Sequence, residues 1–350
     1  MIRCAAEKGK NKYTLEVLTV FPGKGVQPLA VEGITIRRIG TEKARSRILR
    51  AIYYLKFNIL SCWILIINRP IKVMYYETLS AFSPWLYKRW FNRNAQIYIH
   101  YHEYTTPAEY QKGMVLAQYL NKLEKRNYPY TSWVSHTNEN RLKLFLADLG
   151  TKLPPITGIL PNYPPSKWYD QTILDRNKND LRIGFVYVGG LSLSTMFTEQ
   201  AAKCIAAEPE TCYWDIYSNN TDQQVMEYFE KLQAPNINFR GAIPYDLLPT
   251  ILPKYDIGLI LHNDSTLNYK YNAPNKFFEY YASGLNVLFP TVLLGMKEFE
   301  QTEHKPWTHG IDFKNFKISS LSDTKRSNQS TPLRFVAEEV YDKFLDTILI

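Results

Sequence analysis

The sequence predicts an α/β protein built from two parallel-sheet domains. Three observations predict it. Short apolar runs alternate with helical patterns at βαβ spacing along most of the chain. A proline cluster, Pro161-Asn162-Tyr163-Pro164-Pro165, interrupts that alternation near the middle. The 350 residues suffice for two domains of ordinary size, each with its own core. The expected division is residues 1–165 as the first domain, 166–180 as a polar linker, 181–330 as the second domain and 331–350 as a closing helix.

Taken in order, Met1 to Lys10 reads as the end of a helix, with no apolar core long enough for a signal peptide. Tyr13 to Phe21 alternates as a strand should, and Ile34 to Ile39 gives a second strand after the Gly/Pro-containing turn at Pro22 to Gln27. Thr41 to Asn68 is a long helical pattern. Its first half carries Lys43, Arg45, Arg47, Arg50 and Lys56, its second half from Phe57 to Ile67 is almost wholly apolar, and Pro70 stops it. Two readings fit this stretch. One is a helix or helix pair packed on the sheet with a charged face. The other is a surface resting on an anionic membrane, basic side chains drawing it down while Trp63 sits at the interface. Trp85, Lys88, Arg89, Trp90 and Arg93 in the next helix add to the second reading. No run of eighteen uncharged apolar residues occurs, so no spanning helix is expected.

Ile71 to Tyr76 and Ala95 to Tyr101 read as strands, the latter followed by His102 and Glu103. A helix over Ala108 to Lys125, a strand at Thr131 to Ser135, a helix at Glu139 to Leu149 closed by Gly150, and Ile156 to Leu160 complete the first half. The second half opens with a strand, Leu181 to Val188, and the turn Gly189-Gly190-Leu191-Ser192. Helices follow at Thr195 to Ala207, Asp222 to Leu232 and Tyr245 to Leu252, interleaved with strands at Tyr213 to Tyr217 and Ile237 to Phe239. Tyr255 to Leu261 is a buried strand, its polar loop runs from His262 to Tyr271, and a helix follows that Asn275 can cap and Gly284 ends. Leu285 to Phe289 is the next strand. From Met296 the pattern weakens until a terminal helix over Thr331 to Leu349.

Apolar content of 45% places the chain among folded proteins, and four scattered cysteines without CxxC spacing argue for a reducing compartment and against a zinc site. The net charge of +9 suits a negatively charged partner. A specific nucleic-acid partner is not expected, because no recognition module accompanies that charge. The six histidines form no ligand set, so neither a metal nor another cofactor is expected.

The chemistry concentrates where a strand ends and a helix begins. A parallel sheet binds ligands beyond its carboxyl strand ends, which places one at the loop before Asn275. Lys276 and Glu279 share one face at the helix start, where free backbone N–H groups favour an anion. An ammonium there would meet a phosphate and a carboxylate would accept a ribose diol, the outline of a nucleotide-sugar donor site. The bland alternative is an exposed i,i+3 ion pair. The Gly189-Gly190 turn matches neither the P-loop nor the dinucleotide fingerprint and reads as a tight turn or a phosphate contact. His102 and Glu103 stand at a strand end, as an acid-base element or as a cap for the next helix. His100 is a weaker candidate, and His136 lies beside Thr137 and Asn138, which suit the cap of the Glu139 helix.

The run Pro274, Asn275, Lys276, Glu279, Ser283 and Gly284 resembles the donor motif of retaining glycosyltransferases of the GT-B fold, and the resemblance extends from about Ala5 onward. It implies two Rossmann-like domains facing across a cleft, the first for the acceptor, the second for a nucleotide-sugar donor, with the closing helix returning to the first domain. It implies donor contacts from Gly189, Gly190, Asn275, Lys276, Glu279 and Tyr271, and catalytic roles for Lys276, His102 and Glu103. Many members carry a second glutamate eight positions before the first; here that position is Tyr271, so the pair is incomplete. The family's first strand and glycine loop are also missing from the beginning of the sequence, which would leave a sheet position unfilled. The implied activity is transfer to a glycan or lipid-linked acceptor in surface polysaccharide assembly, capsule or lipopolysaccharide, by a cytoplasmic enzyme peripheral on the inner face of the plasma membrane. An inverting transferase, a sugar-nucleotide epimerase and a degenerate paralogue that binds without turnover are the alternatives.

Overall fold

The computed structural model describes residues 2–9, 14–21, 30–41, 46–169, 181–218, 221–323 and 333–349. The chain divides into two compact units, Met1–Pro161 with Glu338–Ile350, and Asn162–Ala337. The linker expected over 166–180 begins instead as a turn, Ser166–Trp168, whose Trp168 is buried in the core of the second unit. The rest of that linker, the turn at Pro22 to Gln27, and Lys43 and Arg45 lie outside the described residues.

The first unit runs α1 (Ile2–Gly9), β1 (Glu16–Phe21), β2 (Thr35–Thr41), α2 (Arg47–Asn68), β3 (Lys72–Tyr76), α3 (Phe82–Trp90) and β4 (Gln96–Tyr101). It continues with α4 (Pro107–Lys112), α5 (Val115–Asn127), β5 (Trp133–His136), α6 (Glu139–Leu149) and β6 (Thr157–Ile159). Strands β3-β4-β5-β6 form one parallel sheet, and β1-β2 form a separate parallel pair. Alternate residues Val73, Tyr75, Ile97, Ile99, Tyr101 and Val134 point into one core with Leu65, Trp85 and Phe145 from the covering helices. The closing helix, α12 (Ala337–Leu349), lays Phe344 against Trp133, ring centroids 5.4 Å apart, and its Tyr341 hydroxyl donates to Pro161 O.

The single helix expected over Ala108 to Lys125 is two. Gly113 leaves the helical region at ψ −171°, and the Gln118 amide takes up the freed carbonyls of Gln111 and Gly113 at 3.0 and 3.1 Å. A capping box at Thr106 and Glu109 starts α4, and the Asn138 side chain caps α6.

The second unit runs β7 (Ile183–Val188), α7 (Thr198–Ala206), β8 (Cys212–Tyr217), α8 (Gln223–Leu232), β9 (Ile237–Gly241), α9 (Leu248–Ile251) and β10 (Ile257–Leu259). Then come α10 (Leu267–Lys270), α11 (Asn275–Ala282), β11 (Asn286–Pro290) and β12 (Thr308–Ile311). Its six strands are parallel in the order β12-β11-β10-β7-β8-β9, a doubly wound arrangement with β7 near the centre. Both faces are buried, Phe185, Tyr187, Ile257 and Leu288 on one side, Val186, Ile260, Val287 and Phe289 on the other, which is why these strands read as near-continuous apolar runs. The exception is β12, whose Thr308-His309-Gly310-Ile311 carries no apolar run and gives no strand signal; it is fixed by its ladder to β11.

Helix α11 buries Phe277, Phe278, Tyr280, Tyr281 and Ala282, and Tyr280 is the one that meets a strand glycine. The Tyr280 ring lies against Gly258 of β10, where a β-carbon would come within 2.2 Å of it, and its hydroxyl accepts Val188 N at 2.9 Å. Only glycine at 258 lets the ring reach the strand.

Candidate functional site

At the carboxyl end of β7 the chain turns through Gly189, whose φ of 128° lies where side chains are rarely tolerated. Lys276, in the first turn of α11, reaches back over this turn. A β-carbon on Gly189 would lie 3.1 Å from Nζ. The ammonium donates to the Tyr187 hydroxyl at 2.8 Å and lies 4.1 Å from that ring's centroid, while the hydroxyl donates to Gly190 O at 2.9 Å. Gly189, Gly190 and Lys276 are thus brought together, with Tyr187, which no sequence pattern singled out because it alternates as a core residue of β7.

Asn275 does not cap the helix. Pro274 occupies the cap position with φ −72° and ψ 147°, no side chain caps the turn, and Asn275 is the exposed first helical residue. Proline fixes the extended backbone that a cap residue needs but has no side-chain acceptor; Phe277 N donates to Pro274 O at 2.9 Å, and the N–H groups of Asn275 and Lys276 are the ones turned to another partner. Glu279 lies one turn on. Burial pushes its carboxyl up to about 7, against the lowering pull of Lys276 and of a hydrogen bond from Tyr245. Tyr271 closes the short helix α10, and its backbone packs on Gly295, where a β-carbon would come within 2.4 Å.

In the first unit, His102 and Glu103 follow β4. They do not cap α4, which Thr106 caps. The His102 ring stacks on Tyr76 with centroids 5.5 Å apart, its carbonyl accepts Arg141 Nη1 at 2.7 Å, and burial lowers its pKa. Glu103 is exposed. His100 and His136 are core residues. His100 Nδ1 pairs with Ser135 Oγ at 2.9 Å, His136 stacks on Tyr101, and burial lowers both to about 3.

The residue that sequence reasoning passed over here is Glu77, directly after β3. Its φ of 59° is a left-handed value for a residue with a β-carbon. One carboxylate oxygen accepts His102 N at 2.6 Å and Glu103 N at 3.3 Å. Desolvation raises the carboxyl to about 7. Its position was the available signal: it is the first residue past a parallel strand's carboxyl end.

Compared by sequence, the chain matches no protein-family model and no curated protein. Compared by structure, it is similar to HepE of Anabaena in complex with UDP-glucose, at 11% identity and TM-score 0.66 over 96% of this chain and 100% of that one. It is also similar to the lipopolysaccharide outer core galactosyltransferase WaaB in its apo form, at 11% identity and TM-score 0.64 over 99% of this chain and 93% of that one. A third is sucrose-phosphate synthase from Thermosynechococcus elongatus, at 13% identity and TM-score 0.62 over 99% and 82%. The chain has the GT-B fold. In this GT-B chain both clusters stand at carboxyl strand ends of Rossmann-like sheets, the position at which doubly wound domains bind ligands.

Proposed function

We propose that the chain is a glycosyltransferase that takes a hexosyl unit from a nucleotide sugar held by the second unit. The acceptor is a glycan or lipid-linked saccharide, transfer proceeds with retention, and the product enters surface polysaccharide at the inner face of the plasma membrane. The observation that carries the reading is the Lys276 ammonium held over the Gly189 turn at the open start of α11.

Breaking the bond between an anomeric carbon and a nucleoside diphosphate leaves negative charge on the departing oxygen as an oxocarbenium-like centre forms. Lys276 and the N–H groups of Asn275 and Lys276 at the start of α11 supply the matching positive charge. Glu279, once ionised, accepts the two hydroxyls of the ribose. The proposed chemistry draws its cation from Lys276, so activity is expected to survive removal of divalent ions by a chelator, measured as sugar transfer with and without EDTA. In the first unit the neutral His102 ring and the Glu77 carboxyl offer a proton acceptor and a hydrogen-bonding wall for an acceptor hydroxyl. The HepE complex with UDP-glucose supports a nucleotide-sugar donor.

The test is calorimetric titration of a panel of uridine, guanosine and adenosine diphosphate sugars, followed by anomeric analysis of the product. Binding of none of them would sink the reading. Tyr271, where an acid is common, favours one second reading, a paralogue that binds the donor without turnover. Donor binding with no detectable transfer to any saccharide acceptor would select it.

A further inference from the structure

Ten of the chain's 42 lysines and arginines and one of its 33 acids fall between residues 43 and 102. The remainder carries 32 of each sign, so the whole net charge of +9 belongs to this segment. Its one acid, Glu77, is turned inward onto the N–H groups of His102 and Glu103.

The same segment displays a continuous apolar stripe. Ile48, Ile52, Leu55, Ile59, Trp63 and Ile67 recur at helical spacing along one side of α2, about 30 Å in length. Ile48 is 74% exposed, Trp63 61% and Ile67 73%. At the far end of the helix the stripe is extended by Ile71 and by Trp90 and Phe91, all exposed. The end of α3 is tied there by Tyr87 and Asn92, which both donate to Pro70 O. Exposed Arg50, Lys56, Arg69, Arg89 and Arg93 flank the apolar groups. Glu16, beside the end of α2, is engaged by Arg37 and Asn68.

Ile48–Asn68 is long and apolar enough to cross a bilayer. Its opposite face rules out that use. Asn58 is buried, donating to Tyr54 O and Leu79 O and accepting Ser83 N, and Cys62 and Leu65 are buried on the same side. Strands β2 and β3, which bracket the helix, belong to one unit and so stand on one side of any membrane.

We infer that α2 and the Trp90–Phe91 turn form a docking face for an anionic lipid bilayer, with α2 lying in the interfacial plane, apolar stripe inserted and arginines and lysines on the headgroups. An interfacial helix is recognised by this combination of apolar face, interfacial tryptophan and flanking cations. The inference gives a surface to the membrane location proposed above and rests on residues of the first unit, whereas the donor site is built from residues of the second.

The test uses the full chain and vesicles of phosphatidylcholine with and without phosphatidylglycerol, read by co-sedimentation, with affinity for the nucleotide-sugar panel measured on the same samples. The wild type binds the anionic vesicles and releases them at high salt. Replacing Arg50 and Lys56 by glutamine lowers that partitioning about 30-fold. Replacing Ile52, Ile59 and Trp63 by glutamine lowers it at least about tenfold. Both sets leave nucleotide-sugar affinity and the circular dichroism spectrum unchanged. A wild type that ignores anionic vesicles overturns the inference, as does an apolar variant that still binds them. So does a wild type that sediments as a dimer and becomes monomeric with those substitutions, which would make a second copy the occupant. Failure of the whole nucleotide-sugar panel to bind, with vesicle binding intact, would strike only the transferase reading.

Discussion

The charge of Lys276 is held by a phenol and an aromatic face, and among the described residues no ion pair neutralises it, which leaves it available to an incoming anion. A charge-assisted hydrogen bond contributes about 1.5–3 kcal/mol. Lys276→Ala is therefore expected to weaken binding of the nucleotide sugar that the wild type takes up roughly tenfold to a hundredfold and to lower turnover at least as much, measured by calorimetry and initial rates. An unchanged dissociation constant would remove Lys276 from the site. Glu279 gives a sign-specific pH effect. Its folded-state carboxyl titrates near 7, so the form that accepts a ribose diol is populated only as pH rises through that value. Donor affinity is expected to fall below pH 7, and Glu279→Gln is expected to flatten the profile at its weak end. Lys276 and Glu279 could be picked out from their spacing and from the strand-helix junction. Tyr187 and Glu77 could not, because one looks like any core aromatic and the other like any loop acid until the backbone is in view.

Tyr280 is one of five buried residues that pack helix α11, and its ring fits against Gly258 of β10. Gly258→Ala drives a methyl group into the ring and is expected to destabilise the protein by about 1–3 kcal/mol, read from the urea midpoint. Tyr280→Phe strands Val188 N at the strand end and is expected to cost a similar amount, about 1–3 kcal/mol, while weakening donor binding because Gly189 is the next residue. A Tyr280→Phe protein with native stability would show that the hydroxyl does not fix the helix. At this scale most strands were legible because both sheet faces are buried and the apolar runs are long. The break between α4 and α5 was not, since a single glycine within a helical pattern gives no direction to the turn. Nor was β12, whose four residues are paired by their backbone and carry little apolar surface. The cap at Asn275 was misplaced by one residue because the proline before it already has the extended backbone that a cap requires.

Three buried carboxyls, Glu77, Glu124 and Glu279, are each raised by desolvation to about 7. Between the ordinary carboxylate range and that value the folded protein holds protons that the unfolded chain has released, so stability falls as pH rises from about 4.5 to 7. Glu124 is fully enclosed, accepting the hydroxyls of Tyr75 and Tyr101 at 2.8 and 2.7 Å. Glu124→Gln keeps an acceptor there without the charge, and urea titrations are expected to show a shallower pH slope than wild type. An identical slope would mean the carboxyl titrates normally. Two units, each around a parallel sheet, followed from chain length and βαβ spacing. The burial of these acids did not, because a glutamate on a helix reads as solvated until its neighbours are known.

Around the apolar stripe of α2 and the Trp90–Phe91 turn stand the exposed Arg50, Lys56, Arg69, Arg89 and Arg93, which give the first unit a positive face. A uniformly charged protein is pulled toward an opposite surface but not turned. This one feels a torque, and within about 8 Å of that surface at physiological salt, the range over which charges still sense each other, it rotates before it touches. Encounters that would otherwise begin in random poses become encounters with one end foremost, so dilute salt should quicken its capture far more than its release.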